Sequence, residues 1–152
     1  MQKITPHLWF NNNAEDAINL YTSVFKNSKI LEINRGGDGM LFTATISIEG
    51  QEVMFLNAGP QFQFNESFSF FVLCEDQQEI DEYWQKLTSD GGQESQCGWL
   101  KDKFGLSWQI VPRSLGELMG GSDPAASKRV MDALLKMVKL DISALERARA
   151  AA

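Results

Sequence analysis

The sequence predicts an α+β fold in which two βαβββ modules are followed by a helical tail. The main observation is an internal repeat, because the apolar stripes of two predicted helices match position for position. The stripes are Ala17, Leu20, Tyr21 and Val24 in the first helix, and Ile80, Tyr83, Trp84 and Leu87 in the second. The second observation is length, since 152 residues with 43% hydrophobic content suffice for one domain with a substantial core. We therefore expect a single domain over 1–152, with modules at 1–57 and 67–112 and a tail at 113–152.

In the first module, strand-like runs surround one helix. The runs cover 4–10, 29–34, 41–48 and 52–57. Asn12 or Asn13 can cap a helix over 14–25, whose first turn carries acidic residues that suit the helix dipole. The Gly-Gly-Asp-Gly segment at 36–39 lies between two strand-like runs, so it predicts a hairpin loop and no phosphate-binding motif. The predicted order is β, α, β, β, β.

The second module repeats this order after a loop rich in Gly, Pro, Asn and Phe. An apolar run over 67–74 precedes Asp76, which is placed to cap the second helix. Two or three short strands follow, with a turn at 102–105 and a last strand over 106–111 that Pro112 closes. If that strand is extended, its side chains alternate between two faces. One face carries Ser107, Gln109 and Val111, and the other carries Leu106, Trp108 and Ile110.

The tail has the pattern of helices that pack on another surface. Asp123 and Pro124 are typical of an N-cap and a first helical residue. The apolar stripe that follows consists of Val130, Leu134, Met137 and Val138. Asp141, and Ser143 with Glu146 three residues on, can open a last short helix through about Ala150. We expect the tail to cover part of the sheet or a subunit contact.

Charge and composition exclude several classes of partner. The net charge is −6 and no basic stripe is present, so nucleic acid is not an expected partner. No apolar run approaches the ~18 residues that a membrane span needs, and the first residues lack the pattern of a signal peptide. A cytoplasmic protein is therefore expected, with no membrane partner. Cys74 and Cys97 are interpreted as reduced thiols, although the sequence leaves a bridge open.

The inventory of reactive side chains is small. His7 is the single histidine, and zinc or iron sites take about three protein ligands, so neither a metal nor a cofactor is predicted. His7 and Cys97 have the residue types of a nucleophilic pair and are the candidate catalytic residues, while a half-buried inert thiol is the alternative for Cys97. No Gly-x-Ser-x-Gly segment supports a serine hydrolase.

Strand alternation predicts one face that could hold a small molecule. The helix-facing registers should form the core, with Phe10, Phe25, Phe70, Trp84 and Trp108. The opposite face is predicted to carry Thr5, His7, Trp9, Val53, Phe55, Ser69, Phe71, Leu73, Ser107 and Gln109. An apolar and aromatic lining with few polar groups is typical of a ligand cavity.

Several long motifs resemble one known family. They are Ile4-Thr-Pro-His-Leu-Trp-Phe10, Asn13-Ala-Glu-Asp-Ala-Ile-Asn-Leu-Tyr21, Cys74-Glu-Asp-Gln-Gln-Glu-Ile-Asp81, Ser95-Gln-Cys-Gly-Trp-Leu-Lys-Asp102 and Gly105-Leu-Ser-Trp-Gln-Ile-Val-Pro112. The chain resembles the PhnB-like branch of the vicinal oxygen chelate superfamily, whose members often carry the label 3-demethylubiquinone-9 3-methyltransferase. The resemblance implies the glyoxalase/bleomycin resistance fold, an open cup-shaped mixed sheet with helices outside, in a homodimer.

The resemblance also implies where metal-dependent relatives place their ligands. These positions fall at or beside His7 and near Phe55, Ser69 and Gln109. Phenylalanine cannot ligate a metal and serine is a poor ligand, so the implied metal site is dismantled in this chain. No S-adenosylmethionine loop accompanies the methyltransferase label.

Three functions are consistent with these observations. The first is metal-free binding of a small aromatic or quinone-like molecule. Its ligand-binding residues would be His7, Trp9, Phe55, Ser69, Phe71, Trp99 and Gln109. The second is an enzyme of unknown reaction, such as quinone-related methyl transfer, that uses His7 or Cys97. The third is a structural or interaction domain whose cavity is filled by its own side chains.

Overall fold

A computed structural model describes residues 2–151. The chain divides into two compact units, one through Phe64 and one from Asn65. The first unit contains β1 (His7–Phe10), α1 (Ala14–Val24), β2 (Ser28–Arg35), β3 (Leu41–Ile48) and β4 (Gln51–Asn57). The second contains β5 (Ser69–Cys74), α2 (Gln77–Thr88), β6 (Gln93–Glu94), β7 (Trp99–Lys101), β8 (Ser107–Pro112), α3 (Leu115–Met119), α4 (Pro124–Leu134) and α5 (Ile142–Ala150). Among residues 2–151, no helix has the length and apolar character needed to cross a membrane.

Each unit is built on a four-stranded mixed sheet, which confirms the α+β class and the repeated βαβββ order. The strand order is β1-β4-β3-β2 in the first unit and β5-β8-β7-β6 in the second. In both sheets the strand before the helix pairs in parallel with the last strand of the module, and the other pairs are antiparallel. This arrangement follows from the helical crossover, which returns the chain in the parallel direction.

The repeated helix stripes become the cores of the two units, as predicted. Tyr21 and its counterpart Trp84 are buried, while Leu20 and Tyr83 are half-buried at the margins of their stripes. Trp84 also donates its indole N–H to Oε1 of the exposed Glu94 at 2.7 Å, so its polar atom is satisfied at the margin of the core. The same helical periodicity therefore gives the same packing in each half.

The caps of the two helices differ in origin. In α2, the Asp76 carboxylate accepts a hydrogen bond from Glu79 N at 2.9 Å, as predicted. In α1, Asn13 occupies the N-cap position but its side chain makes no capping hydrogen bond. Instead, Asn57 Oδ1 at the end of β4 accepts from Ala14 N at 2.9 Å. Asn13 is therefore the N-cap residue, as predicted, but the side chain that satisfies a free amide of α1 is that of Asn57, which is distant in sequence.

The tail follows the predicted helix only as far as Leu134. Asp123 caps α4, with Pro124 as its first residue, and Asp141 caps α5. However, α4 ends at Leu134, so the predicted stripe through Met137 and Val138 is not one helix. The carbonyl oxygens of Met137 and Val138 accept hydrogen bonds from Cys97 N and Gly98 N, both at 2.8 Å.

These two hydrogen bonds attach the tail to the loop that leads into β7. Gly98 has φ +85°, and a Cβ at this position would lie 3.0 Å from Ile110 O and 3.1 Å from the Leu140 side chain. Glycine is therefore required both by its backbone angle and by the close approach of the tail. The Gln77 side chain completes the attachment, since it donates to Leu140 O and accepts from Ile142 N.

Candidate functional site

The outer face of the second sheet carries two rows of side chains that cross β5, β8 and β7. The strand registers place directly paired residues on the same face. The first row is Ser69, Ser107 and Lys101, and the second is Phe71, Gln109 and Trp99. We call these six residues the β5–β8–β7 face.

The opposite face of this sheet is the core of the unit. Trp108, Ile110 and Leu100 are buried there, on the side that packs against the buried stripe of α2. Because strand residues alternate, the predicted assignment of Ser107 and Gln109 to the other face is confirmed. Phe70, by contrast, is only half-buried, although its ring lies 4.9 Å from that of Trp108.

The polar centre of the β5–β8–β7 face consists of two hydroxyls and one amide. Gln109 Nε2 donates to Ser69 Oγ at 3.0 Å, which leaves the Ser69 hydroxyl proton available for another acceptor. Ser107 is 1% exposed, and its Oγ has no hydrogen-bond partner among the residues that the structure describes. A buried hydroxyl without a partner is costly, so this atom points to a missing acceptor or donor.

Two aromatic rings flank the amide in the second row. Phe71 is 57% exposed, so most of its surface is open to a ligand. Trp99 is half-buried on the other side of Gln109. The row therefore alternates ring, amide and ring across three neighbouring strands, whose outer members are about 10 Å apart at the ~4.8 Å spacing of adjacent strands.

An ion pair lies at one end of this face. Lys101 Nζ contacts Glu66 Oε1, and the hydrogen bond from this ammonium group is the main reason that the pKa of Glu66 is lowered. Glu66 is thus a carboxylate at neutral pH. Lys101 lies in the same row as Ser69 and Ser107 and carries the positive charge of that row.

A buried carboxylate, that of Asp102, fixes the turn beside the β5–β8–β7 face, and the sequence patterns did not predict this role. Asp102 accepts from Phe104 N and Leu106 N with Oδ1, at 2.9 and 3.1 Å, and from Trp108 Nε1 with Oδ2 at 2.9 Å. These bonds hold the turn between β7 and β8, which positions the rows of the face. The signal in the sequence was an aspartate opening a turn that ends in Gly105.

The outer face of the first sheet carries His7 and Trp9, as predicted. His7 pairs with Met54 and Trp9 with Leu56 across β1 and β4. His7 is exposed. The Trp9 indole N–H donates to Gly59 O at 2.9 Å, and its ring meets the edge of Phe62 at a centroid distance of 4.9 Å.

The predicted placement of Val53 and Phe55 on this outer face is wrong. Phe55 is 0% exposed, lies opposite Leu8 in the register, and stacks on Phe10 at 5.3 Å between ring centroids. It also contacts the ring of Tyr21 in α1, at 6.0 Å. Phe55 is therefore a core residue on the helix side, out of reach for a ligand on the outer face. The prediction failed because β4 is apolar in both of its registers.

The two cysteines are free thiols in different environments. Cys74 is buried at the end of β5, and burial raises the pKa of its thiol to about 12, so it is not a nucleophile at neutral pH. Cys97 is partly exposed, with φ +58°, in the loop that the tail holds. His7 and Cys97 belong to different units, and their action as a catalytic pair stays a prediction.

The side chains at the implied metal positions do not form a donor set. Phe55 lies in the core, and its outward neighbours Met54 and Leu56 offer no nitrogen or oxygen ligand. Across residues 2–151, no three His, Cys, Asp or Glu side chains are grouped so that they could hold a metal ion. The residues present therefore do not fit a divalent metal centre.

Comparisons with known proteins agree with this architecture. Residues 2–111 match the family model of 3-demethylubiquinone-9 3-methyltransferase, so the tail lies outside the match. The PhnB protein of Bacillus cereus is 36% identical, with a TM-score of 0.68, over 73% of this chain and 99% of that chain. A search of the curated proteins found no match.

Two more distant structures share the fold. Protein PA1353 of Pseudomonas aeruginosa is 16% identical, with a TM-score of 0.62 over 74% of this chain and 98% of its own. The fosfomycin resistance protein FosX of Listeria monocytogenes is 13% identical, with a TM-score of 0.57 over 79% of this chain and 98% of its own. At these identities the likeness concerns the fold alone.

Proposed function

Because the chain belongs to the 3-demethylubiquinone-9 3-methyltransferase family, the PhnB-like branch of the vicinal oxygen chelate superfamily, we propose a role suited to that fold: metal-free binding of a small aromatic or quinone-like molecule. The β5–β8–β7 face is the proposed binding surface. The family name alone does not select a reaction, since this fold hosts different chemistries.

The observation that carries the proposal is the unpartnered Ser107 hydroxyl beside the row of Phe71, Gln109 and Trp99. A ligand oxygen, such as a quinone carbonyl, would accept the Ser107 proton and satisfy this buried group. The neighbouring Ser69 hydroxyl also has a proton to donate, because its oxygen already accepts from Gln109. Two hydroxyls side by side therefore suit a ligand oxygen with two lone pairs.

The flanking rings suit the flat part of the same ligand. Phe71 projects from β5 with most of its surface exposed, and Trp99 projects from β7. A planar ring system set between them would bury apolar area and make offset or edge contacts with both rings, worth about 1 kcal/mol each beyond burial. The combination of rings and a few fixed polar groups is what small-molecule sites share.

Metal analysis tests the metal-free part of the proposal. Purified protein is expected to contain well under one equivalent of zinc, nickel, iron or manganese per chain, because the side chains at the implied metal positions do not form a donor set. A chelator should leave the midpoint of thermal unfolding unchanged, since no metal-linked stability would be lost. Near-stoichiometric metal by elemental analysis would contradict this part.

Titration calorimetry with two neutral probes, duroquinone and 2-naphthamide, tests the binding itself. Both should bind saturably to the wild type. Phe71→Ala and Gln109→Leu should each weaken binding by about fivefold, since each removes roughly 1 kcal/mol of ring contact or hydrogen bonding.

Phe42→Ala is the matched control, because Phe42 is 56% exposed but lies on the first sheet. Its affinity for both probes should equal that of the wild type. If neither probe binds the wild type, the proposed function fails. Equal losses from Phe42→Ala and Phe71→Ala would remove the β5–β8–β7 face as the site.

A further inference from the structure

We infer that the β5–β8–β7 face selects ligands that carry a carboxylate, or another anionic oxygen, next to their aromatic ring, and that Lys101 recognises this charge. The inference rests on the proposed function, since it names the ligand class of the same site. Lys101 lies directly opposite Ser107 in the register of β7 and β8. The Lys101 and Ser107 side chains therefore leave adjacent positions on the same face.

The ion pair of Lys101 with Glu66 crosses the start of β8. Glu66 lies just before β5, Lys101 ends β7, and β8 runs between these two strands. Ser107 is the first residue of β8 and lies in the row that joins Ser69 to Lys101. The Lys101 side chain thus extends across the row that contains Ser107 to reach the Glu66 carboxylate.

Exchange of Glu66 for a ligand carboxylate is favourable on two grounds. The Glu66 side chain is 61% exposed, so water already screens its attraction to Lys101 and little is lost when the pair opens. The incoming carboxylate keeps Lys101 paired and also gives the Ser107 hydroxyl an acceptor, which Glu66 does not do. The released Glu66 returns to solvent as a hydrated carboxylate.

The preference for an anionic ligand depends on the charge at the face and not on the net charge of the chain. The chain has a net charge of −6, so its overall field does not attract anions. On the β5–β8–β7 face, Lys101 is the residue that carries positive charge, and the other five side chains are neutral. Selection of an anionic ligand therefore depends on this lysine.

The test compares 2-naphthoate with 2-naphthamide, two probes of the same shape that differ in charge. Calorimetry on the full chain should show that wild type binds 2-naphthoate about tenfold more tightly, as expected for a charge-assisted hydrogen bond. Lys101→Met should abolish this preference, so that the affinities for the two probes lie within about twofold of each other, whereas Lys101→Arg should retain it. Glu66→Gln should strengthen 2-naphthoate binding several-fold, because the competing carboxylate is gone.

Lys103→Met is the control, since Lys103 lies close by but over the ring of Phe104 in the exposed turn. It should leave the preference for 2-naphthoate intact. If 2-naphthamide binds and 2-naphthoate binds no better, the inference fails while the proposed function stands. Loss of the preference in Lys103→Met, or no gain in Glu66→Gln, would likewise overturn the role of Lys101.

Discussion

Replacement of Phe55 by alanine is expected to lower the free energy of unfolding by about 3 to 5 kcal/mol. The ring is fully buried between β4 and α1, where it stacks on Phe10 and contacts Tyr21, so its removal leaves a cavity in the core of the first unit. Urea denaturation should show a lower midpoint with little change in slope. Binding of duroquinone to the folded variant should be unchanged.

Phe71→Ala supplies the matched comparison, because Phe71 is an exposed phenylalanine of the second unit. Its truncation should change the unfolding free energy by no more than about 0.5 kcal/mol while it weakens ligand binding. The two variants thus separate a core phenylalanine from a site phenylalanine. The reverse result, in which Phe55→Ala stays stable and loses binding, would show that the register of β4 is the one first predicted.

Asp102→Ala is expected to destabilise the protein by roughly 3 to 5 kcal/mol. Its carboxylate accepts three hydrogen bonds at the turn between β7 and β8, and alanine would leave the Leu106 amide and the Trp108 indole without this acceptor. The near-ultraviolet circular dichroism of the folded variant should also change, since Trp108 loses its fixed partner. Urea denaturation gives the size of the effect.

Two further variants test the reason for that loss. Asp102→Asn keeps the oxygen for the backbone amides but directs an NH2 group at the Trp108 indole, so it should cost about 1 to 3 kcal/mol. Asp38→Ala is the control, because Asp38 accepts from Met40 N in an exposed turn of the first unit. It should cost less than about 1 kcal/mol. An effect of Asp102→Ala no larger than that of Asp38→Ala would mean that the buried carboxylate does not hold the turn.

The sequence alone was sufficient to predict the modules, and the outer face of β8 with them. Helical periodicity repeats between α1 and α2, and the packing of the two helices repeats with it. In β8, Ser107 and Gln109 alternate with Trp108 and Ile110, so only one register buries the large apolar side chains. That polarity explains the predicted outer face for Ser107 and Gln109, and the structure pairs them there with Ser69 and Phe71 of β5, as predicted.

The tertiary structure decided what the sequence pattern left equivalent. In β4, Val53 and Phe55 are no more apolar than Met54 and Leu56, so hydrophobicity cannot choose the inner face. The parallel pairing with β1 determines the inner face, because it places Phe55 opposite the buried Leu8. The internal repeat indicates the same register, since the buried Trp108 of β8 lies opposite Phe70 of β5 as Phe55 of β4 lies opposite Leu8 of β1.

The same limit applies wherever a distant backbone group decides a local structure. Apolar spacing continues past Leu134, yet the helix ends there, and the carbonyls of Met137 and Val138 accept from the loop before β7. The α1 cap comes from Asn57, which no local pattern near Ala14 indicates. Periodicity records which side chains prefer burial, whereas hydrogen bonds between segments far apart in sequence depend on how those segments meet in space.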